Sequence, residues 1–210
     1  MIYRDKKALI KALIQKETSV LDVGFWGQGL GYDDPEWPHA MLRHQTSEVY
    51  GVDLDYDASR LDQPDHYLKA NAEQFDFSKK FDNIFAGDII EHLSNNGLFL
   101  VSCARNLKPG GSLILTTPNC FNLFNIAEKF TKVEPTTNSD HTCYFNSKTL
   151  KKLLQKNGWE VTSIDFLYTL NPKFQESWKK KFLNMLYEIF SWWTPKFIET
   201  LVVVATPMKK

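Results

Sequence analysis

The chain has 210 residues, 43% of them hydrophobic and 24% charged, so it can bury a sizeable core and is not a disordered chain. With 25 basic and 25 acidic residues the formal net charge is zero, which removes any global electrostatic case for capturing nucleic acid or another polyanion. The three cysteines, Cys103, Cys120 and Cys143, form no CxxC pair and cannot all be paired, so a reducing, cytoplasmic setting is expected.

At the amino end Lys7 and Lys11 interrupt the apolar run that a membrane-crossing segment needs, and Leu9, Ile10, Leu13 and Ile14 fall on one face of an amphipathic helix. Residues 19–24 (SVLDVG) form a short apolar strand that runs into a glycine cluster, Gly24, Gly27, Gly29 and Gly31. A second strand, EVYGVDLD, ends on Asp53 and Asp55 and leaves room for one short crossover helix near residues 39–44. Further strands are predicted at residues 67–70, 81–86 and 112–117, with a helix over 98–106 before the last of these. In the intervening LKPGG, Pro109 cannot extend a helix and the glycines permit positive φ. A helix from Ser147 places Leu150, Leu153 and Leu154 on one face and stops at Gly158. Two β-rich stretches, WEVTSIDFLYTL and LVVVAT, close the chain and are expected to pair antiparallel.

This alternation predicts an α/β, Rossmann-like, doubly wound fold, with a mostly parallel seven-stranded sheet and an antiparallel C-terminal strand. No repeat or linker divides the chain, so a single domain is expected over 1–210. A lid is expected at 120–141, where FNLFNIAEKF reads as a helix, and a helical insertion at 172–195. In open α/β sheets ligands bind beyond the carboxyl ends of the strands. There the glycine turn lets the backbone approach a ligand closely, and Asp53 can accept both hydroxyl protons of a ribose. No GxxxxGK[ST] phosphate loop is present, and Pro35 and Pro38 interrupt the crossover helix on which a dinucleotide would place its pyrophosphate.

Taken together, VLDVGFWGQG, YGVDLD, ANAEQFDF, FDNIFAGDIIEHL and LKPGGSLILTTPN resemble the successive motifs of class I S-adenosylmethionine-dependent methyltransferases. The run of EHL, LKPGG and TPN is similar to the branch that includes small-molecule and ubiquinone-pathway O-methyltransferases. The resemblance implies that Asp22, Gly24, Gly27 and Gly29 lie against the methionine portion and ribose of S-adenosylmethionine. It implies that Asp53 holds the ribose hydroxyls, that Asn71 and Ala72 flank the adenine with Glu73, and that Asp88 faces the methionine amino group or the reacting centre. Two departures stand out: Phe25 and Trp26 both intervene between the first two glycines where the family usually has one residue, and Asn71 stands where the family usually has Asp.

Methyl transfer to a small-molecule hydroxyl is the activity implied, with a sugar, a quinone-like phenol or a lipid-linked intermediate as acceptor. A general base would assist, and His141 is the candidate, against the alternative that it caps or packs the lid. Glu91 and His92 are read as structural residues at a helix start. Phe121, Phe124 and Phe130 line an apolar substrate pocket or are plain core. The aromatics and lysines of residues 174–193 suit a peripheral membrane surface or a lipid-linked substrate, or else a packed helix. Neither HExxH nor clustered ligand spacing appears, and no metal is expected. Two other readings stay open at this level: a catalytically inactive methyltransferase-like binding module, and a nicotinamide-dependent oxidoreductase.

Overall fold

The structure, a computed structural model, describes residues 1–26, 34–130, 132–135, 138–169, 185, 187, 189 and 193–208. In chain order the elements are β1 (Ile2–Tyr3), α1 (Lys6–Leu13), β2 (Val20–Val23), α2 (Pro38–Gln45), β3 (Val49–Asp53), β4 (Tyr67–Lys69), β5 (Phe81–Gly87), α3 (Asn96–Asn106), β6 (Leu107–Pro118), α4 (Leu123–Glu128), α5 (Ser147–Lys156), β7 (Trp159–Leu167) and β8 (Thr200–Pro207).

Among the described residues the sheet has eight strands in the order β1-β7-β8-β6-β5-β2-β3-β4. All neighbours are parallel except β8, which runs antiparallel to both β6 and β7. The doubly wound expectation and the antiparallel closing pair are therefore found, but with one strand more than the seven predicted. The extra strand is β1, which pairs Ile2 with Phe166 and Tyr3 with Leu167. Two residues are too few to show a period of two, so the sequence pattern merged them with the helix that follows.

Alternation along the strands sorts the core onto two faces. Leu21 and Val23 of β2, Ile84 and Ala86 of β5, and Leu113 and Leu115 of β6 face α3 and α5, where they meet Phe99, Leu100, Leu150 and Leu154. Val20, Phe85 and Ile114 face the other way, against Leu9 and Ile10 of α1 and Leu42 of α2. The chain begins α1 with Asp5, whose carboxylate accepts the Ala8 amide, and begins α5 with an Asn146 to Thr149 capping box.

In LKPGG the strand starts earlier than predicted. β6 already pairs Leu107 with Phe81, then skips to Ser112 opposite Asn83, with Gly110 at φ +83° in the intervening bulge. The strand order reverses about β2: β3 and β4 lie to one side of it and β5, β6 and the rest to the other. The β2–β5 crevice is thus the topological switch point, and its mouth lies between Gly24 and Asp88.

Candidate active site

At the end of β2 the chain turns at Gly24, φ +77°, where a Cβ would stand 2.5 Å from Ile89 Cδ1 across the crevice. Gly27, Gly29 and Gly31 lie outside the described residues. Phe25 explains part of the unusual spacing between the first two glycines, because it turns inward and is buried. Its ring lies against Gly51 of β3, where a Cβ would meet Phe25 Cδ1 at 2.7 Å and Tyr67 Cδ1 at 2.9 Å. Trp37 Nε1 donates to the Phe25 carbonyl at 2.7 Å, which ties the start of the glycine turn to the start of α2.

Asp22 shares the face of β2 that carries Val20, so it points toward α2 beneath the turn. There its Oδ2 lies 2.9 Å from His39 Nδ1, and His39 Nε2 lies 3.1 Å from the Tyr67 hydroxyl. Asp22 is 2% exposed and His39 is 0% exposed, so this carboxylate supports the turn from below. Sequence reasoning did not single out His39. The available signal was an acidic residue in a fully apolar strand, which needs a buried partner.

Asp53 ends β3 beside the turn, with Oδ2 accepting the Trp26 amide at 2.8 Å and Oδ1 accepting the Asp55 amide at 3.3 Å. Burial pushes the Asp53 carboxyl up from its ordinary value, against the opposing pull of the Trp26, Asp55 and Leu54 amides. The Ala70 amide donates to the Asp53 carbonyl, which brings Asn71 and Ala72 alongside. Asn71 Oδ1 accepts the Glu73 amide at 2.9 Å and shapes that turn.

Across the crevice, Asp88 takes φ +53°, a left-handed conformation that Asp tolerates better than most residues. Its amide donates to the Thr116 carbonyl, its Oδ1 accepts Thr116 Oγ1 at 2.9 Å, and its Oδ2 accepts Lys6 Nζ at 2.9 Å. Three residues on, Glu91 sits in a 3₁₀ turn, Ile90–His92, that precedes α3, whose cap is Asn95. Glu91 and His92 are therefore not at the start of the helix, as the sequence suggested. Asn95 supplies a better side-chain acceptor for the Leu98 amide, at 3.0 Å, and the helix begins there.

Glu91 is buried; its Oε2 accepts Thr117 Oγ1 at 2.9 Å, and its Oε1 has no hydrogen-bond partner among the described residues. Burial, and then the negative charge of Asp88, push its carboxyl up to about 7. The chain returns to this point fifty residues later, when the Thr142 amide donates to the Glu91 carbonyl at 2.8 Å. That contact sets the His141 ring edge-on to His92, with centroids 4.7 Å apart. Ligand atoms of Glu91, His92 and His141 all lie within 4.8 Å of one another. One carboxylate and two imidazoles can move a proton or hold a divalent cation, and spacing along the chain does not reveal the group. Burial, and then His92, push the His141 pKa down.

Beside His141, whose ring lies 6.5 Å from that of Tyr144, α4 and its flanking residues border an open cavity of about 480 Å³ lined by Cys120, Phe121, Ile126, Phe130 and Tyr144. Phe121 and Phe130 are thus pocket lining rather than core, and Phe130 is 87% exposed. Phe124 packs against Tyr187, at 5.3 Å between centroids. Most of the predicted insertion, including Trp178 to Phe182, lies outside the described residues, which within it are 185, 187, 189 and 193–195. Among the described residues no helix is long and apolar enough to cross a membrane.

Residues 3–164 match a family model described as a methyltransferase domain. The human mitochondrial ubiquinone biosynthesis O-methyltransferase is 30% identical over 120 residues, which cover 53% of this chain and 32% of that protein. The ubiquinone biosynthesis O-methyltransferase of Bartonella bacilliformis is 33% identical over 121 residues, 54% of this chain and 48% of that one. The chain therefore matches between about a third and a half of the length of these curated relatives. Among solved structures, the 1,6-didemethyltoxoflavin-N1-methyltransferase of Burkholderia thailandensis, with bound 1,6-didemethyltoxoflavin and S-adenosylhomocysteine, superposes with a TM-score of 0.61 at 17% identity, covering 97% of this chain and 77% of that one. The S-adenosylmethionine dependent methyltransferase of Mesorhizobium loti gives 0.59 at 13% identity, covering 94% and 95%. At these identities the structures establish the shared fold, and the family match extends over most of the chain. The chain belongs to the methyltransferase domain family.

Proposed function

We propose that this protein transfers a methyl group from S-adenosylmethionine to a hydroxyl of a small-molecule acceptor. The observation that carries the reading is the row of strand ends at the switch point: Asp53 on β3, Gly24 on β2 and Asp88 on β5, with Glu91 and His141 beyond. The residues fit an adenosyl ligand. Gly24 has a positive φ and no Cβ, so the backbone at the end of β2 can turn against Ile89 and lie bare at the mouth of the crevice, where a ligand can approach it closely. Asp53, half-buried at a strand end, offers a carboxylate to a ribose, and Asn71 and Ala72 border the adenine.

S-adenosylmethionine supplies a methyl on a positively charged sulfur that departs neutral. What remains for the protein is alignment and removal of the hydroxyl proton, and alignment alone contributes roughly 7 to 11 kcal/mol. Asp88 anchors the amino-acid end. His141, with its pKa lowered, keeps a free lone pair at neutral pH and takes the acceptor proton, while Glu91 lies within reach to share it. The apolar cavity under α4 shelters the body of the acceptor, which favours a phenol or another acceptor with an apolar part over a bare sugar. In this reading residues 1–210 form one methyltransferase domain, with a lid at 120–141 and an insertion at 172–195.

The test is release of S-adenosylhomocysteine from labelled cofactor in the presence of panels of phenols, sugars and lipid-linked hydroxyl compounds. Acceptor-dependent product with an oxygen-linked methyl is the expected result. Tight cofactor binding with no product across the panels would instead favour the inactive binding module.

A further inference from the structure

Lys6 opens α1, yet its ammonium reaches out of the helix to Asp88 Oδ2 at 2.9 Å, at the mouth of the switch-point crevice. Nothing within α1 calls for this contact. Asp5 already caps the helix, and a cation in the first turn opposes the helix macrodipole. The two side chains are 24% and 31% exposed, so the pair is half-buried but reachable from the crevice. Asp88 is the fixed partner, held by three contacts to Thr116. Lys6 is the movable one, a compact charge on a flexible four-carbon stem.

The order of the strand ends gives the direction of an adenosyl ligand. With its ribose at Asp53 and its chain passing Gly24, its amino-acid end arrives at Asp88. That end is a zwitterion. Its ammonium suits Asp88, but its carboxylate would then stand close to the Asp88 side chain with Glu91 three residues on, and would be repelled unless a cation faced it. Lys6 is the cation that the fold brings to this place.

We propose that Lys6 is the receptor for the α-carboxylate of the adenosyl ligand. The ligand's ammonium takes over Asp88 Oδ2, and Lys6 passes from Asp88 to the ligand's carboxylate, so that one ion pair becomes two. Binding of the amino-acid end thereby engages the first turn of α1 and, through it, the β1 edge of the sheet. The inference rests on the cofactor reading given above.

Calorimetry on the full chain with three ligands tests it: S-adenosylhomocysteine, decarboxylated S-adenosylmethionine, which keeps the ammonium and lacks the carboxylate, and methylthioadenosine, which lacks both. Lys6→Met is expected to weaken S-adenosylhomocysteine about tenfold or more, as for loss of one charge-assisted hydrogen bond. Methylthioadenosine should change by less than about twofold, and the decarboxylated ligand should bind as well as before or more tightly, because Asp88 has lost a competitor. Lys6→Arg should restore most of the affinity for S-adenosylhomocysteine. Lys6→Gln, read in the same three arms, serves if the methionine variant melts early. Equal loss for all three ligands, or no loss for S-adenosylhomocysteine, overturns the proposal alone. A wild-type protein that binds none of the three overturns the cofactor reading and this proposal with it.

Discussion

His39 Nδ1 stands 2.9 Å from Asp22 Oδ2, with both side chains buried, and the same imidazole reaches the Tyr67 hydroxyl through Nε2. A carboxylate acceptor puts a proton on Nδ1; in the neutral ring Nε2 then accepts from Tyr67. This network spans β2, α2 and β4, and the Phe25 ring at the start of the glycine turn lies against it, 4.9 Å from the His39 ring. Removing His39 would leave a buried carboxylate without its main partner. His39→Ala is therefore expected to destabilise the fold by about 3 kcal/mol or more. Urea denaturation measures this, and Asp22→Asn in the His39→Ala background should recover part of the loss, because it removes the unpaired charge. If the double variant is no more stable than the single one, the cost lies in lost packing around Phe25.

Asp53→Ala should weaken S-adenosylmethionine binding by about tenfold or more, the effect of losing a charged hydrogen-bond acceptor worth on the order of 1.5 to 3 kcal/mol. Calorimetry reads it directly. An unchanged affinity in a folded variant would remove Asp53 from the site.

For His141, His141→Ala is expected to lower kcat by roughly 10² to 10⁴ if it is the general base, while cofactor affinity stays where it was. A histidine that only packs the lid would instead change KM or stability and spare kcat at saturating acceptor.

Asp82 makes a prediction about acid stability. Burial alone would raise its carboxyl, but Lys108 Nζ at 2.8 Å, with the Ser19 amide at 2.9 Å and hydroxyl at 2.7 Å, outweighs that and holds it at about 2. Because the folded value lies below the unfolded one, near ~3.9, the contribution is complete above that upper value and is lost as pH falls through about 2. Asp82→Asn should thus be less stable than wild type at neutral pH, and the gap should close between about pH 4 and pH 2. A gap that does not change with pH would show that shape, and not charge, is what matters at this position.

Gly24→Ala places a Cβ at φ +77° and 2.5 Å from Ile89 Cδ1. The methyl end of Ile89 can move, but the backbone cannot change sign, so a loss of about 1 to 2 kcal/mol is expected. Adding Ile89→Ala should relieve only the contact. Full recovery in that double variant would mean that the backbone carries no strain.

The local pattern of the chain was enough to determine most of the architecture. Strands alternating with amphipathic helices, glycine after Val23, and acidic residues at the ends of β3 and β5 are written in neighbouring residues, where periodicity and turn chemistry act. The fold and the placing of Asp53 and Asp88 at strand ends were legible for that reason. β1 was not, because a two-residue strand has no period of its own and exists only through β7. The tertiary structure alone decided that Asp22 is buried on His39, that Lys6 meets Asp88, and that His141 returns to Glu91 and His92. These pairs are 17, 82 and about fifty residues apart in the chain. Charge and hydrogen bonding act over a few ångströms of space, and no spacing in sequence encodes which distant side chains the folded sheet will bring that close.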